Sequence, residues 1–139
     1  MGQVFVPVTI TNFFDVIRAR DGAIGPEAVR RVSLENVLVD TGAVHLALPA
    51  DLVAQLGLEL VSETPIVTAN GRTRARVFRG ATLNVMGREG DFRCLELPVG
   101  TPVLLGAVPM EELGLEPDLR NRTLRLLPET DEDTYHLML

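Results

Sequence analysis

The chain has 139 residues, a length typical of a single domain with a sizeable core, and its 46% hydrophobic content argues against intrinsic disorder. A net charge of −6 and an aromatic content of 4% argue against a nucleic-acid-binding surface, and no stretch is apolar enough to predict a membrane span. The single cysteine, Cys94, cannot form an internal disulfide, and the N-terminus lacks the pattern of a signal peptide, so we expect a cytoplasmic protein.

The first third of the chain predicts short strands separated by turns. Residues 4–10 alternate as a strand does, and residues 13–20 are expected to form a second strand. Asp21-Gly22 predicts a turn. Residues 29–34 predict a third strand, and a short turn at Glu35-Asn36 is expected to separate it from the next apolar run.

The middle third begins with a short helix and continues with strands. Residues 50–56 have apolar side chains at helical spacing, and Gly57 is expected to end the helix. Two strands are predicted on either side of Asn70-Gly71, the dipeptide most typical of a tight hairpin turn. None of residues 73–76 has a large apolar side chain, which indicates that this hairpin projects into solvent. Residues 81–86 and 92–97 predict two more strands.

The last third contains a second apolar run that ends in glycine, residues 103–106, and a second short helix, residues 109–113. Many short strands with regular turns predict an all-β fold with two short helices, either a barrel or a sandwich. We expect one domain over residues 1–127 and an exposed acidic tail over residues 128–139.

One segment combines a buried strand with an aspartate at its end. It runs Val37-Leu38-Val39-Asp40-Thr41-Gly42-Ala43. A carboxylate at a strand end is costly to bury unless it is hydrogen-bonded, and a glycine nearby allows a tight turn and a close backbone approach. A carboxylate held in this way on a rigid element suits acid–base chemistry.

Residues 39–43 resemble the catalytic signature of retroviral-type (retropepsin-like) aspartic proteases. The hairpin of residues 68–78 lies where that family places its flap, and the Leu104-Leu105-Gly106 run with the helix after it resembles the family's second hydrophobic-glycine segment. The resemblance extends from about residue 4 to residue 127. It implies a closed β-barrel or sandwich with a flap hairpin and two short helices.

The resemblance also implies that the chain is half of an enzyme. Pepsin-like relatives carry two such motifs, whereas this chain carries one, which implies a two-fold homodimer that cleaves peptides or proteins. Asp40 would be the catalytic carboxylate, one from each subunit. Thr41 would hydrogen-bond across the dimer axis, and Gly42 would donate its N–H to the carboxylate.

The resemblance implies substrate contacts from three places in the chain. These are Ala43 and His45 after the signature, Ala69, Asn70 and Gly71 at the flap tip, and Leu104 and Leu105 beside the catalytic loop. Two features depart from the family pattern. His45 stands where many relatives have a small polar residue, and the flap tip has one glycine instead of a glycine-rich run.

Each of these features has a purely structural alternative. Asp40 could end a strand in an ordinary Asp-Thr-Gly turn, Asn70-Gly71 could be a simple hairpin turn, and the Leu-Leu-Gly run could be core. Four arginines of the hairpin could form a solvated face or contact an acidic substrate; they are Arg72, Arg74, Arg76 and Arg79. With one cysteine and no paired histidine spacing, we expect no metal and no cofactor.

Three functions are therefore compared. The leading hypothesis is a homodimeric aspartic endopeptidase. The second is a non-catalytic dimeric peptide-binding module that keeps the same fold. The third is a phosphoryl-transfer enzyme with Asp40 as nucleophile, which is disfavoured because long amphipathic helices for a parallel sheet are absent from the pattern.

Overall fold

The computed structural model describes residues 3–128. Its elements in chain order are β1 (Val4–Asn12), α1 (Phe13–Arg20), β2 (Arg31–Val39), β3 (Leu46–Pro49), α2 (Ala50–Leu56), β4 (Glu59–Thr68), β5 (Gly71–Val85), β6 (Arg88–Leu97), β7 (Leu104–Leu105), α3 (Ala107–Leu113), β8 (Leu115–Asp118) and β9 (Thr123–Leu126). A 3-10 turn, Pro26–Ala28, precedes β2. Apart from Pro128, the predicted acidic tail lies outside the described residues.

Six strands close into a barrel in the order β1-β2-β7-β3-β6-β5, and β5 pairs back onto β1. Closure leaves those six strands without a free edge between first and last. β4 lies outside this ring and forms a long antiparallel hairpin with β5, while β8 and β9 form a separate two-stranded sheet. The prediction of a mostly β, closed-barrel fold with a projecting hairpin is confirmed.

Alternating apolar side chains fill the barrel interior. β1 shows this most clearly, since every second residue from Val4 to Asn12 is buried. β5 continues the same pattern with Ala81, Leu83 and Val85. Because side chains of a strand point alternately to opposite faces, this period of two places one face of each strand inside. Two short helices add to the core through Leu56 and Leu113.

The prediction of a strand over residues 13–20 is wrong, because these residues form α1. The side chain of Asn12 accepts a hydrogen bond from the backbone N–H of Asp15, and this cap satisfies an N–H that the helix leaves unpaired. Asn followed three residues later by an acidic residue was a helix-start signal. The described chain therefore has three α-helices, not the two expected.

The turn predicted at Glu35-Asn36 is a bulge inside a continuous β2. Val6 pairs with Val37 and Val8 pairs with Leu34, so two residues of β2 lie opposite Pro7. Proline has no N–H to donate, and a bulge accommodates that gap without ending the strand. In the same way, the strands predicted over residues 73–78 and 81–86 are one strand, β5, with a register shift beside Gly80.

The remaining predicted elements are present, although β6 and α3 begin earlier than residues 92 and 109, and one strand is missing from the prediction. The helix over residues 50–56 ends at Gly57, and α3 ends at Gly114, both in the left-handed conformation that glycine adopts without strain. β8 was not predicted. β8 has only four residues, too few to show the alternation of apolar and polar side chains that predicts a strand. Its partner β9 follows the turn of residues 119–122.

A polar network anchors α1 to the barrel. Asp15 is 2% exposed and accepts hydrogen bonds from the Arg30 backbone N–H at 3.0 Å and from the Arg30 Nε at 2.8 Å. The Asn12 amide donates to the Leu56 carbonyl at the end of α2. The hydrogen bond from the Arg30 side chain is the main cause that lowers the pKa of Asp15, against an opposing effect of burial. This carboxylate is a structural one.

The Asp15–Arg30 pair gives a pH-dependent contribution to stability. Because the folded-state pKa of Asp15 is lowered from its ordinary value of 3.8, the contribution is present above that value and is lost as the pH falls through the folded pKa. We expect Asp15→Asn to reduce the free energy of unfolding by about 2 kcal/mol at pH 7. The difference from wild type should shrink below pH 4 in urea unfolding monitored by circular dichroism. A constant difference between pH 7 and pH 3 would contradict this assignment.

Candidate active site

Asp40 lies at the end of β2, where the barrel brings β7 alongside. β2 and β7 run parallel, with Leu38 opposite Leu104 and Val39 opposite Leu105. The Asp40 backbone N–H donates to the Leu105 carbonyl at 3.0 Å, so the main chain of the aspartate is held by the second apolar run. The position of its carboxylate is therefore set by two segments that are distant in sequence.

A tight turn holds the Asp40 side chain. The Gly42 N–H donates to Asp40 Oδ1 at 2.9 Å, and the Ala43 N–H donates to the Asp40 carbonyl at 3.1 Å. A Cβ at position 42 would lie 3.2 Å from Oδ1, so glycine keeps this approach open. The carboxylate is half-buried and has one protein donor among residues 3–128. Within the described residues, its other oxygen accepts no hydrogen bond.

Gly106 joins the loop after Asp40 to α3. The first N–H groups of α3 donate back to this loop, from Ala107 to the Ala43 carbonyl at 2.8 Å and from Val108 to the Val44 carbonyl at 2.9 Å. A Cβ on Gly106 would lie 2.4 Å from the His45 carbonyl oxygen and 2.8 Å from the Ala43 carbonyl oxygen. Real side chains never approach backbone so closely, so these contacts require glycine.

A cleft of about 950 Å³ begins beside the loop and runs beneath the β4–β5 hairpin. Its wall is mostly apolar, as in binding sites for peptide-sized ligands. The lining residues come from the loop after Asp40, the hairpin, the end of β6 and β7. They are Ala43, Val44, His45, Ala47, residues 66–74, residues 95–98, Thr101 and Leu104.

A smaller hollow of about 280 Å³ lies on the other side of the Asp40 loop. Asp40 and Thr41 line it together with Gln3, Val4, Leu38, Val39, Pro117 and Leu119. Among the described residues that line this hollow, Asp40 is the one carboxylate. The Thr41 hydroxyl has no hydrogen-bond partner within residues 3–128, and its residue is exposed. The loop thus lies between a cleft and a second concave surface.

The hairpin that covers the cleft ends in a compact turn. Thr68 pairs with Gly71, so Ala69 and Asn70 are the two turn residues, and Gly71 has a φ of 105° at the start of β5. The Thr68 hydroxyl accepts from the Asn70 N–H and donates to the Gly71 carbonyl. The turn lies one residue earlier than the Asn-Gly dipeptide alone indicates.

The structure brings most of the predicted site residues to the cleft. Ala43, His45, Ala69, Asn70, Gly71 and Leu104 all line it, whereas Asp40 and Thr41 line the neighbouring hollow. Leu105 is 0% exposed and belongs to the core, so it supports the site from behind without lining it. Of the Leu104-Leu105 pair, the first faces the cleft.

Sequence reasoning missed the contribution of β6. Residues 95–97 line the cleft because β6 pairs in parallel with β3, next to the Asp40 loop. No local sequence pattern predicts the pairing of β3 with β6, because the two strands are far apart in the sequence. Cys94 on the same strand is buried, and burial raises the pKa of its thiol to about 12. It therefore does not provide a thiolate nucleophile.

Within residues 3–128, no group of three or more histidine, cysteine, aspartate or glutamate side chains could hold a metal ion. In the same part of the chain, no helix is long and apolar enough to cross a membrane.

Comparisons with known proteins identify a family and a fold for this chain. The model of a family described as aspartyl protease matches residues 22–108, which include the Asp40 turn, the hairpin and the Leu-Leu-Gly run. The protease of EIAV, solved in complex with the inhibitor HBY-793, matches with a TM-score of 0.56 and 20% identity, over 81% of this chain and 89% of that chain. It is one of 228 matching chains, so the likeness of fold does not depend on one comparison. The search of curated proteins gave no match.

The contact at Gly106 predicts a strong effect of a single methyl group. Gly106 has an ordinary extended conformation, so Gly106→Ala should be harmful because of its steric clash alone. We expect a loss of about 3 kcal/mol or more in the free energy of unfolding, measured by urea denaturation.

Gly100→Ala is a suitable control for this variant. Gly100 has a φ of 93° but open space around its Cβ position, so alanine there should cost about 1–2 kcal/mol from backbone strain. Equal losses in the two variants would contradict the steric role of Gly106.

Proposed function

The chain belongs to the aspartyl protease family, and from this we propose that it is an aspartic endopeptidase whose active site forms between two copies of the chain. The observation that carries the proposal is the position and the hydrogen bonding of the Asp40 carboxylate. Its carboxylate is half-buried at the end of a rigid strand, held by one N–H, and open on one side. It lies between a peptide-sized cleft and a second concave surface.

Hydrolysis of a peptide bond by water requires both a base and an acid. One group removes a proton from the water, and another donates a proton to the substrate carbonyl and later to the leaving amine. Within the described residues, the hollow beside Asp40 offers one carboxylate. A second copy related by a two-fold axis would supply the other one from the same gene.

The two carboxylates would share one proton. Like charges about 3 Å apart do not both ionise, as is known for aspartic protease dyads. The ionised Asp40 takes a proton from the water as the water oxygen attacks the carbonyl carbon, and the protonated Asp40 gives its proton to the carbonyl oxygen. The resulting tetrahedral diol then collapses. One hydroxyl of the diol gives its proton to the ionised carboxylate as its oxygen becomes the new carbonyl oxygen. The C–N bond breaks, and the amine nitrogen receives a proton from the other carboxyl, so the pair again shares one proton.

The neighbouring residues would hold this pair in place. The Gly42 N–H donates to Asp40 Oδ1 and would hold the carboxylate in position for the water. The exposed Thr41 hydroxyl is available to hydrogen-bond to the partner's loop. The β4–β5 hairpin would act as a flap that closes over a bound peptide and excludes water. Val67, 79% exposed near its tip, gives that flap an apolar surface to place on a substrate.

Apolar side chains beside Asp40 support a contact between two copies. Leu119 is 54% exposed and lines the same hollow as Asp40 and Thr41, next to Pro117. The exposed Leu119 side chain offers apolar surface that a contact with a second copy would remove from water. Pairing with a second copy would bury Leu119 and bring the two carboxylates together in one step.

Asp40→Asn is expected to abolish peptide cleavage. Asparagine keeps the shape and the contact with Gly42 but cannot act as an acid or a base. Loss of this acid–base group should lower kcat by at least about 10²-fold, measured by cleavage of fluorogenic peptides at mildly acid pH. Asp21→Asn, an exposed aspartate after α1, serves as the matched control and should keep wild-type activity. Equal activity of wild type and Asp40→Asn would exclude the peptidase. Peptide binding without cleavage by wild type would indicate the non-catalytic module.

The proposed dimer predicts a concentration-dependent mass. Sedimentation velocity at micromolar concentration should give twice the mass of the chain. Leu119→Arg should shift the protein toward the monomer and lower its activity at low concentration, because two arginines would meet near the axis. Leu60→Arg is the control, since Leu60 is 52% exposed on β4 and lies away from the hollow. A strict monomer at all concentrations would remove the shared-proton mechanism.

A further inference from the structure

Four arginines follow one another along β5, and three of them have acidic partners. Arg76 makes a two-pronged contact with Glu96, with both N···O distances at 2.8 Å, and Arg79 makes one with Glu59 at 3.1 Å. Arg74 makes a longer contact of 3.3 Å with Glu63. The Arg76 guanidinium also lies 5.2 Å from the centre of the Phe78 ring. The charges of these three side chains are largely compensated within the chain.

Arg72 differs from the other three. Val67 lies opposite it in the register, and Arg74 also faces an apolar residue, Pro65, but Arg74 reaches Glu63 diagonally whereas Arg72 reaches no glutamate within the described residues. Within residues 3–128 it makes no ion pair and no hydrogen bond through its side chain, and it lines the cleft beneath the hairpin. Side chains at every second position of a strand share a face, so Arg72 extends the row of Arg74 and Arg76 toward the flap tip.

Few charged residues line the cleft around Arg72. Glu96 is the one carboxylate among the described residues that line it, and both its oxygens are already bound by Arg76. Because Arg74 is paired with Glu63, Arg72 is what adds an uncompensated positive charge to the cleft wall, although the chain as a whole carries a net charge of −6. A local excess of one sign against the overall charge favours a ligand group of the opposite sign.

The alternative is that Arg72 is simply solvated, as most surface arginines are. Its surroundings distinguish it from an ordinary surface residue. A peptide in the cleft would replace water beside Arg72 with substrate and apolar wall, and a charge pair is stronger where water is excluded. The planar guanidinium also matches a carboxylate with two parallel hydrogen bonds.

We propose that Arg72 is a specificity-determining residue that binds an acidic side chain of the substrate close to the scissile bond. This inference rests on the proposed peptidase function and names the substrate class for that site: peptides with Asp or Glu near the cleaved bond. A two-fold dimer would present Arg72 from each flap. Acidic residues should therefore be favoured on both sides of the scissile bond.

Cleavage of a random decapeptide library tests this directly. We expect the products of the wild-type protein, sequenced by mass spectrometry, to be enriched in Asp and Glu at one or more positions within four residues of the cleaved bond. For a peptide pair that differs by Glu or Gln at such a position, Arg72→Gln should lower the ratio of kcat/KM values about five- to tenfold. Arg72→Lys should restore part of the ratio, and Arg72→Glu should favour Lys and Arg instead.

Arg31→Gln is the matched control. Arg31 is exposed at the far end of β2, eight residues before Val39, and the substitution changes the net charge by the same amount. If the acidic preference came from the overall field of the protein, Arg31→Gln and Arg72→Gln would reduce it equally. That result, or an acidic preference that survives Arg72→Glu, would overturn the assignment.

A binding experiment separates this inference from the peptidase function. Immobilised Asp40→Asn protein captures peptides from the same library without any need for cleavage. Captured peptides should be enriched in acidic residues, and the enrichment should be lost when Arg72→Gln is added and should weaken between 50 and 500 mM salt. If wild type cleaves nothing but capture shows this pattern, the peptidase fails and Arg72 keeps its role. If neither capture nor cleavage favours acidic peptides, the role of Arg72 is overturned while cleavage itself still supports the peptidase.

Discussion

The close approach of Gly106 to the loop after Asp40 is the constraint on which the rest of the site depends. Two chain segments far apart in sequence pass each other with their backbones in contact, and the missing side chain of Gly106 makes this possible. The same crossing lets Leu105 accept from Asp40 and lets α3 donate to the Ala43 and Val44 carbonyls. The carboxylate is thus positioned by main-chain contacts, which leave its side chain free for chemistry. This explains why a mostly aliphatic run with one glycine accompanies the aspartate.

Two aspartates of this fold differ in burial and in hydrogen-bond partners, and this difference separates a stabilising carboxylate from a candidate catalytic one. Asp15 is buried, and both its oxygens are bound by Arg30, so its charge is fully used in holding α1 to the barrel. Asp40 is half-buried and has a single N–H donor within the described residues. A carboxylate with all its hydrogen bonds made is poorly suited to exchange protons with a substrate. The less satisfied aspartate is the one whose environment leaves it able to react.

The sequence predicted the parts of the structure that depend on local rules and missed those that depend on distant pairing. Alternation identified β1, and glycine identified the ends of α2 and α3, because strand faces and left-handed caps are local properties. The aromatic and β-branched residues within 13–20 favour a strand locally, whereas the Asn12 cap starts a helix there. The contribution of β6 to the cleft follows from its parallel pairing with β3, and the pairing of Arg76 with Glu96 joins residues twenty positions apart. No single-sequence pattern contains that information.

The charges on the β4–β5 hairpin show what the fold adds to the sequence. Sequence alone offered four arginines and left open whether they form a solvated face or meet a substrate. The structure shows a partner for three of the four. Arg74 and Arg79 pair with Glu63 and Glu59 on β4, and Arg76 pairs with Glu96 on β6. Arg72 is closest to the flap tip, where β6 no longer reaches and β4 presents Val67. The hairpin therefore compensates its own charge where it joins the barrel and leaves it uncompensated where a substrate would lie. Under the proposed function, such a hairpin would fold without a ligand and would gain a charge pair when it closes on an acidic one.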